Sequence, residues 1–89
     1  MLEQEIAVVN KLGLHARAAA KLVQLLAGFQ SNAVMRCRGR EVNAKSIMGV
    51  MLVAAGHGSS VIVRADGEDE AAAMDAVAAL FERRFDEDS

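Results

Sequence analysis

The chain predicts an α+β fold, an antiparallel open-faced sandwich with element order βαββαβα. Three observations predict it. Three short segments place apolar residues on alternate positions, as half-buried strands do, and a fourth follows a hairpin turn. Three others repeat them at helical spacing or follow a capping residue. The strands then need cover on one face, and helices distributed between antiparallel strands supply it. No proline, repeat or low-complexity linker interrupts the 89 residues, so one domain spanning 1–89 is expected.

The first strand is expected over Glu3–Val9, with Leu2, Ile6 and Val8 on one side. Lys11–Leu14 forms a loop bent at Gly13. Ala16–Ala27 is a helix with Ala19, Leu22, Val23 and Leu26 as its apolar stripe; Arg17, Lys21 and Gln24 lie on another face and Gly28 ends it. Ser31 and Asn32 turn the chain into a strand, Ala33–Cys37, with Ala33, Met35 and Cys37 inward. A hairpin turn at Arg38-Gly39 leads to the return strand Arg40–Asn43. Ser46 caps a short helix, Ile47–Val53. Gly56-His57-Gly58 is a loop with His57 exposed. Ser60–Ala65 is the last strand, and Asp66-Gly67 turns. The last helix is expected over Asp69–Phe85, burying Met74, Val77, Ala78, Phe81 and Phe85, with acids (Glu68, Asp69, Glu70) at its start and Arg83 and Arg84 near its end, as the helix dipole favours.

Composition narrows the function. A hydrophobic fraction of 53% contains many alanines, so the core is lean. Three phenylalanines, with no tryptophan or tyrosine, give nucleobases little to stack on. Arg36, Arg38 and Arg40 cluster at the hairpin, but the net charge is −2 and nucleic acid is not expected. Cys37 alone excludes an internal disulfide and packs in a strand, and two histidines with one cysteine lack metal-ligand spacing. The start of the chain lacks a basic segment followed by a long apolar run, and no stretch reaches a membrane span. A cytoplasmic protein without cofactor, metal or membrane insertion is expected. Charge is uneven: residues 10–45 carry seven basic residues against Glu41 alone, whereas residues 46–89 carry three arginines against nine acids. The basic half points to an acidic partner or a phosphate.

That half contains His15, at the junction of loop and helix. A helix start presents unpaired N–H groups and about half a positive charge, the requirements of an anion. Arg17 adds a forked, permanently charged donor. An imidazole ordinarily titrates near neutral pH and has a nucleophilic nitrogen. Phosphoryl transfer needs mainly positioning and charge compensation. The residues thus point to a histidine that accepts and holds a phosphoryl group.

Two segments carry a resemblance over Glu3–Glu82. Leu12-Gly13-Leu14-His15-Ala16-Arg17 resembles the active-site signature of the HPr family, the histidine-containing phosphocarriers of the bacterial phosphoenolpyruvate-dependent sugar phosphotransferase system. Asn43-Ala44-Lys45-Ser46-Ile47-Met48-Gly49-Val50-Met51 resembles that family's regulatory-serine segment. The resemblance implies a four-stranded antiparallel sheet with three helices on one face. It implies a carrier rather than a turnover enzyme: His15 takes a phosphoryl group on Nδ1 from phospho-Enzyme I and passes it to Enzyme IIA proteins. Arg17 and the backbone N–H groups of the first turn, that of Ala16 among them, assist; the N–H of Ala18, where the family usually has proline, is expected to add a further donor. It further implies phosphorylation of Ser46 by HPr kinase/phosphorylase.

A short helix must bury one side, and spacing assigns Ile47 and Val50 to the core. The resemblance places Met48 and Met51 on the surface. The implied docking set is Lys21, Lys45, Ile47, Met48 and Met51, on a monomer whose contacts are small and transient. Three residues depart from the family's pattern: Ala18 stands for its usual proline, and Gln24 and Gly49 stand where members often carry lysine. Two other branches share the pattern, the nitrogen-related carrier NPr and a purely regulatory Crh-like module read through phospho-Ser46. The second lacks the active histidine.

Overall fold

In the computed structural model, which describes residues 1–53 and 56–87, the strands form one antiparallel sheet in the order β1-β4-β2-β3. The elements are β1 (Leu2–Ala7), α1 (Ala16–Ala27), β2 (Asn32–Cys37), β3 (Arg40–Asn43), α2 (Ile47–Leu52), β4 (Ser60–Asp66) and α3 (Glu70–Glu82). β4 lies between β1 and β2, with Ile6 opposite Val61 on one side and Met35 opposite Val63 on the other. This register puts Ile6, Ala33, Met35, Cys37, Val61, Val63 and Ala65 on one face, where all are buried. α1 contributes Ala18, Ala19, Leu22 and Leu26 to the same core, and α3 contributes Ala73, Met74, Val77, Leu80 and Phe81.

Several expected boundaries move. β1 ends at Ala7, although Val8 stays tied to the loop before β4 through Val8 N–H to Ser59 O (2.8 Å) and Gly58 N–H to Val8 O (3.1 Å). Val8 is buried, whereas Leu2, expected on the same face, is exposed at the strand's outer end. The Arg38-Gly39 hairpin is as expected, both residues having positive φ, 54° and 78°, the backbone that a tight two-residue turn requires. Gly28 ends α1 with φ −80° and ψ −2°, a right-handed rather than a left-handed cap. α2 stops at Leu52; Val50 is buried and Ile47 is not, because the buried side of so short a helix is met by Val50 and Val53.

The largest difference is at α3, which ends at Glu82, not Phe85. Arg84, Phe85 and Asp86 take φ of 57°, 55° and 61°, three successive left-handed residues without a glycine. Such a turn costs roughly 1–2 kcal/mol per residue and persists only where its surroundings fix it. Here Phe85 is wholly buried, its ring edge-on to Phe81 with centroids 4.8 Å apart. The expected burial of Phe85 is met, but by reversal of the chain rather than by helical spacing.

The acids at the start of α3 also act differently from a simple dipole match. Asp69 stands at the N-cap but makes no cap hydrogen bond. Its carboxylate accepts instead from Gln30 N–H (2.8 Å), Ser31 N–H (2.9 Å) and the Ser31 hydroxyl, fastening the α1–β2 connection. Ser31 in turn presses on Gly67, where an added Cβ would stand 2.7 Å from the Ser31 Cα, so no side chain fits there.

The Ser31 hydroxyl and the Gln30 amide hold the Asp69 carboxyl below its ordinary range. A carboxyl depressed in the folded state stabilises fully above its ordinary value, about pH 4, and loses that contribution as pH falls through the depressed one. Urea unfolding of the protein and of Asp69→Asn should therefore show a gap in midpoint at about pH 7 that narrows toward about pH 2.

Candidate functional site

The site begins with the cap of α1. His15 has extended backbone angles (φ −77°, ψ −178°), and its carbonyl accepts from Ala19 N–H at 2.8 Å, so it is the N-cap residue. Gly13 (φ 68°) bends the loop just before it, and His15 N–H donates to Gly13 O at 2.9 Å. His15 Nδ1 accepts from Arg17 N–H at 3.3 Å. The N–H groups of Ala16 and Ala18 have no hydrogen-bond partner among the described residues. The Ala18 side chain is fully buried, which pins the first turn to the core. The Arg17 guanidinium makes no hydrogen bond or ion pair among the described residues and stands on the exposed side.

The other ring nitrogen faces the end of the described chain. His15 Nε2 is hydrogen-bonded to Glu87 Oε2. Glu87 Oε1 accepts from the Asn10 side-chain amide at 3.0 Å, and the same amide nitrogen donates to Gly13 O at 2.7 Å. Asn10 is wholly buried, and its Oδ1 has no partner among the described residues. Burial works against the charge on Glu87. Hydrogen bonds from Asn10 and His15, with the nearby charges of His15 and Arg17, outweigh it and hold the carboxyl below its ordinary range. Lys21, expected on the docking surface, reaches to the left-handed turn, donating to Phe85 O at 2.9 Å and pairing with Asp86 at 3.4 Å.

The second candidate centre is separate; no hydrogen bond or ion pair joins it to the first among the described residues. Ser46 caps α2, its hydroxyl accepting from Gly49 N–H at 3.1 Å. An added Cβ at Gly49 would lie 3.0 Å from Asn43 O, so a larger residue here would press on β3. Lys45 is drawn to the end of α1 by a 2.8 Å bond from Nζ to Phe29 O. Met48 is 75% exposed and Met51 43%, as expected for a contact surface, and Ile47 joins them at 41%. Leu12 and Leu52, which the sequence did not single out, are also well exposed.

His57 is exposed and Cys37 is buried. Among the described residues no group of three His, Cys, Asp or Glu side chains is placed to hold a metal ion. Nor is any described helix long and apolar enough to cross a membrane.

Asn10 and Glu87 were missed in the sequence. Asn10 lies just ahead of the motif and has no spacing signal. Glu87 is one of nine acids in the acidic half, and only the reversal at Phe85 brings it to His15.

The chain is thus an open-faced α+β domain, a four-stranded antiparallel sheet covered by three helices, with a histidine capping the first. The family described as "PTS HPr component phosphorylation site" matches residues 2–83. The phosphocarrier protein HPr of Xylella fastidiosa is 64% identical over 89 residues, covering both chains in full. The phosphocarrier protein NPr of Shewanella violacea is 38% identical, covering 99% of this chain and 97% of its own. The crystal structure of HPr from Thermoanaerobacter tengcongensis superposes with a TM-score of 0.95 at 42% identity, covering both chains in full. The chain belongs to the HPr family, the phosphocarriers of the phosphotransferase system.

The capping bond at Ser46 sets a stability expectation. Ser46→Ala should lower the unfolding free energy by about 1 kcal/mol, read by urea denaturation, with the fold retained.

Proposed function

We infer that the protein accepts a phosphoryl group on His15 Nδ1 from phospho-Enzyme I and passes it to Enzyme IIA proteins. The observation that carries this reading is the start of α1, where Nδ1 faces the helix amides and Arg17 stands at the same end. During transfer a bond forms between Nδ1 and phosphorus while the bond from phosphorus to Enzyme I breaks, its electron pair leaving with Enzyme I. The 3.3 Å contact from Arg17 N–H to Nδ1 lies at the long end of hydrogen bonding. As phosphorus approaches, that amide is free to turn to a phosphoryl oxygen, joined by the unpartnered N–H groups of Ala16 and Ala18. The Arg17 guanidinium compensates the added charge.

Ser46 is the proposed regulatory position, phosphorylated by HPr kinase/phosphorylase. A phosphate there adds about −1.5 to −2 charge at a helix start, which the fold tolerates. It also sets that charge beside the exposed Ile47, Met48 and Met51, so an acidic partner is repelled without unfolding anything. Lys21 and Lys45 complete the proposed docking surface with their charge, although both ammonium groups already have partners within the chain. The protein is proposed to work as a monomer in the cytoplasm, with small, transient contacts.

The NPr relative supports a second reading, the same chemistry in a nitrogen-related relay without sugar transport. The presence of His15 weighs against a purely regulatory Crh-like module.

Intact mass after incubation with phosphoenolpyruvate and Enzyme I tests the reading. One acid-labile phosphoryl group is expected, absent from His15→Ala, and the faster of the sugar-branch and nitrogen-branch enzymes assigns the branch. No labelling by either enzyme overturns the carrier role.

The Ala18 N–H is a donor that the family's usual proline lacks. Phosphohistidine should therefore hydrolyse faster in Ala18→Pro than in the parent, and equal lifetimes would remove Ala18 from the phosphoryl site.

A further inference from the structure

We propose that Glu87 is a positioning residue for His15, fixing the ring in the tautomer that carries its proton on Nε2 and leaves Nδ1 as the nitrogen open to phosphorus. The proposal rests on the phosphocarrier reading for its kinetic part and on the unphosphorylated protein for its structural part.

Two neighbours choose the same tautomer independently. An ionised carboxylate only accepts, so the nitrogen facing Glu87 carries the hydrogen. A backbone amide only donates, so the nitrogen facing Arg17 offers its lone pair. Either contact alone leaves the ring free to swing about its bond to Cβ; together they hold it from both sides. A histidine ring held at one nitrogen by a carboxylate while the other reacts is a recurrent arrangement in nucleophilic and metal sites.

The carboxylate is itself held in place. Asn10 is wholly buried, is locked to Gly13 O, and points its amide at Glu87 Oε1. Behind Glu87 the chain passes through the three left-handed residues Arg84–Asp86, fastened by buried Phe85, by Lys21 on Phe85 O and Asp86, and by Arg83 on Asp86 at 3.0 Å. A strained turn over-determined by this many contacts delivers one side chain, Glu87, to the one histidine at the motif.

The arrangement also serves the transfer step. When Nδ1 bonds to phosphorus, Nε2 keeps its proton and the ring becomes cationic. Glu87 then sits against that charge. Its carboxylate, held by the Asn10 amide on one oxygen and by Nε2 on the other, balances the cation. With Nε2 protonated, only Nδ1 has a free lone pair with which to attack phosphorus.

Glu87→Gln and Glu87→Ala in the full chain test this. Long-range nitrogen–proton NMR reads the His15 tautomer in the unphosphorylated protein, and rapid quench with phospho-Enzyme I reads the rate of phosphoryl acceptance. The backbone amide spectrum checks that the fold is intact. In the parent, Nε2–H is expected to dominate. In both variants the Nδ1–H form should become visible and the rate should fall roughly tenfold. Glu87→Asp, which keeps the charge, should recover more of both than Glu87→Gln. An unchanged tautomer, or an unchanged rate with a changed tautomer, overturns the proposal. A parent protein that takes no phosphoryl group removes the phosphocarrier reading instead, and the tautomer then decides the positioning role alone.

Discussion

The docking of α1 onto the covered face of the sheet is the constraint on which the site depends. Ala18, Ala19, Leu22 and Leu26 are buried along one stripe, and the first two lie within the helix's opening turn. Alanine at these places brings the helix backbone close to the core, and a fully buried Ala18 leaves its first turn no room to fray. The start of the helix, normally its least certain end, is therefore fixed by packing. His15 inherits that fixity, because its carbonyl and its ring both bond within the turn. A phosphoryl site built from backbone amides needs this, since amides that shift by an ångström no longer converge on one anion.

The two candidate centres are variations on one device. Each is a helix N-cap whose side chain accepts from an amide in the first turn: His15 from Arg17, and Ser46 from Gly49. At both, the proposed phosphate would replace the cap with a stronger acceptor. They differ in what surrounds them. α1 is twelve residues long and anchored, with an arginine and a carboxylate in attendance. α2 is six residues long, with an apolar exposed side formed by Ile47, Met48 and Met51. The first environment suits passing a group on, the second suits carrying a mark that a partner reads.

Local pattern made the sheet, α1, the hairpin and the Ser46 cap legible, because strand alternation, helical spacing, a turn dipeptide and a capping residue each act within a few positions. The signature around His15 was legible for the same reason. What could not be read is set by distant contacts. Leu2 alternates correctly but lies at the end of the strand, beyond the helices. Ile47 has core spacing, but α2 is too short to bury it. Asp69 reads as one of the acids that suit a helix start and is spent on Ser31, 38 residues away. Arg84, Phe85 and Asp86 carry no glycine to announce a left-handed turn, so helical spacing extended through them. The partner of His15 is 72 residues distant, invisible to any window.

A carboxylate beside a histidine proposed to carry a phosphoryl group invites an objection, since two anions should repel. The geometry answers it. Glu87 lies against Nε2, whereas the Arg17 amide lies against Nδ1, so the ring separates Glu87 from a group bonded at Nδ1. Glu87 is also not a bare charge, because Asn10 donates to one oxygen and the ring to the other. When Nδ1 is bonded to phosphorus the ring between them is positive, and anion, cation and anion alternate across the site. Repulsion between the outer pair falls with distance and is countered by the nearer attraction of each for the ring. The carboxylate is thus best placed where it stands, and on the Nδ1 side it would compete with the phosphoryl group for the same amides.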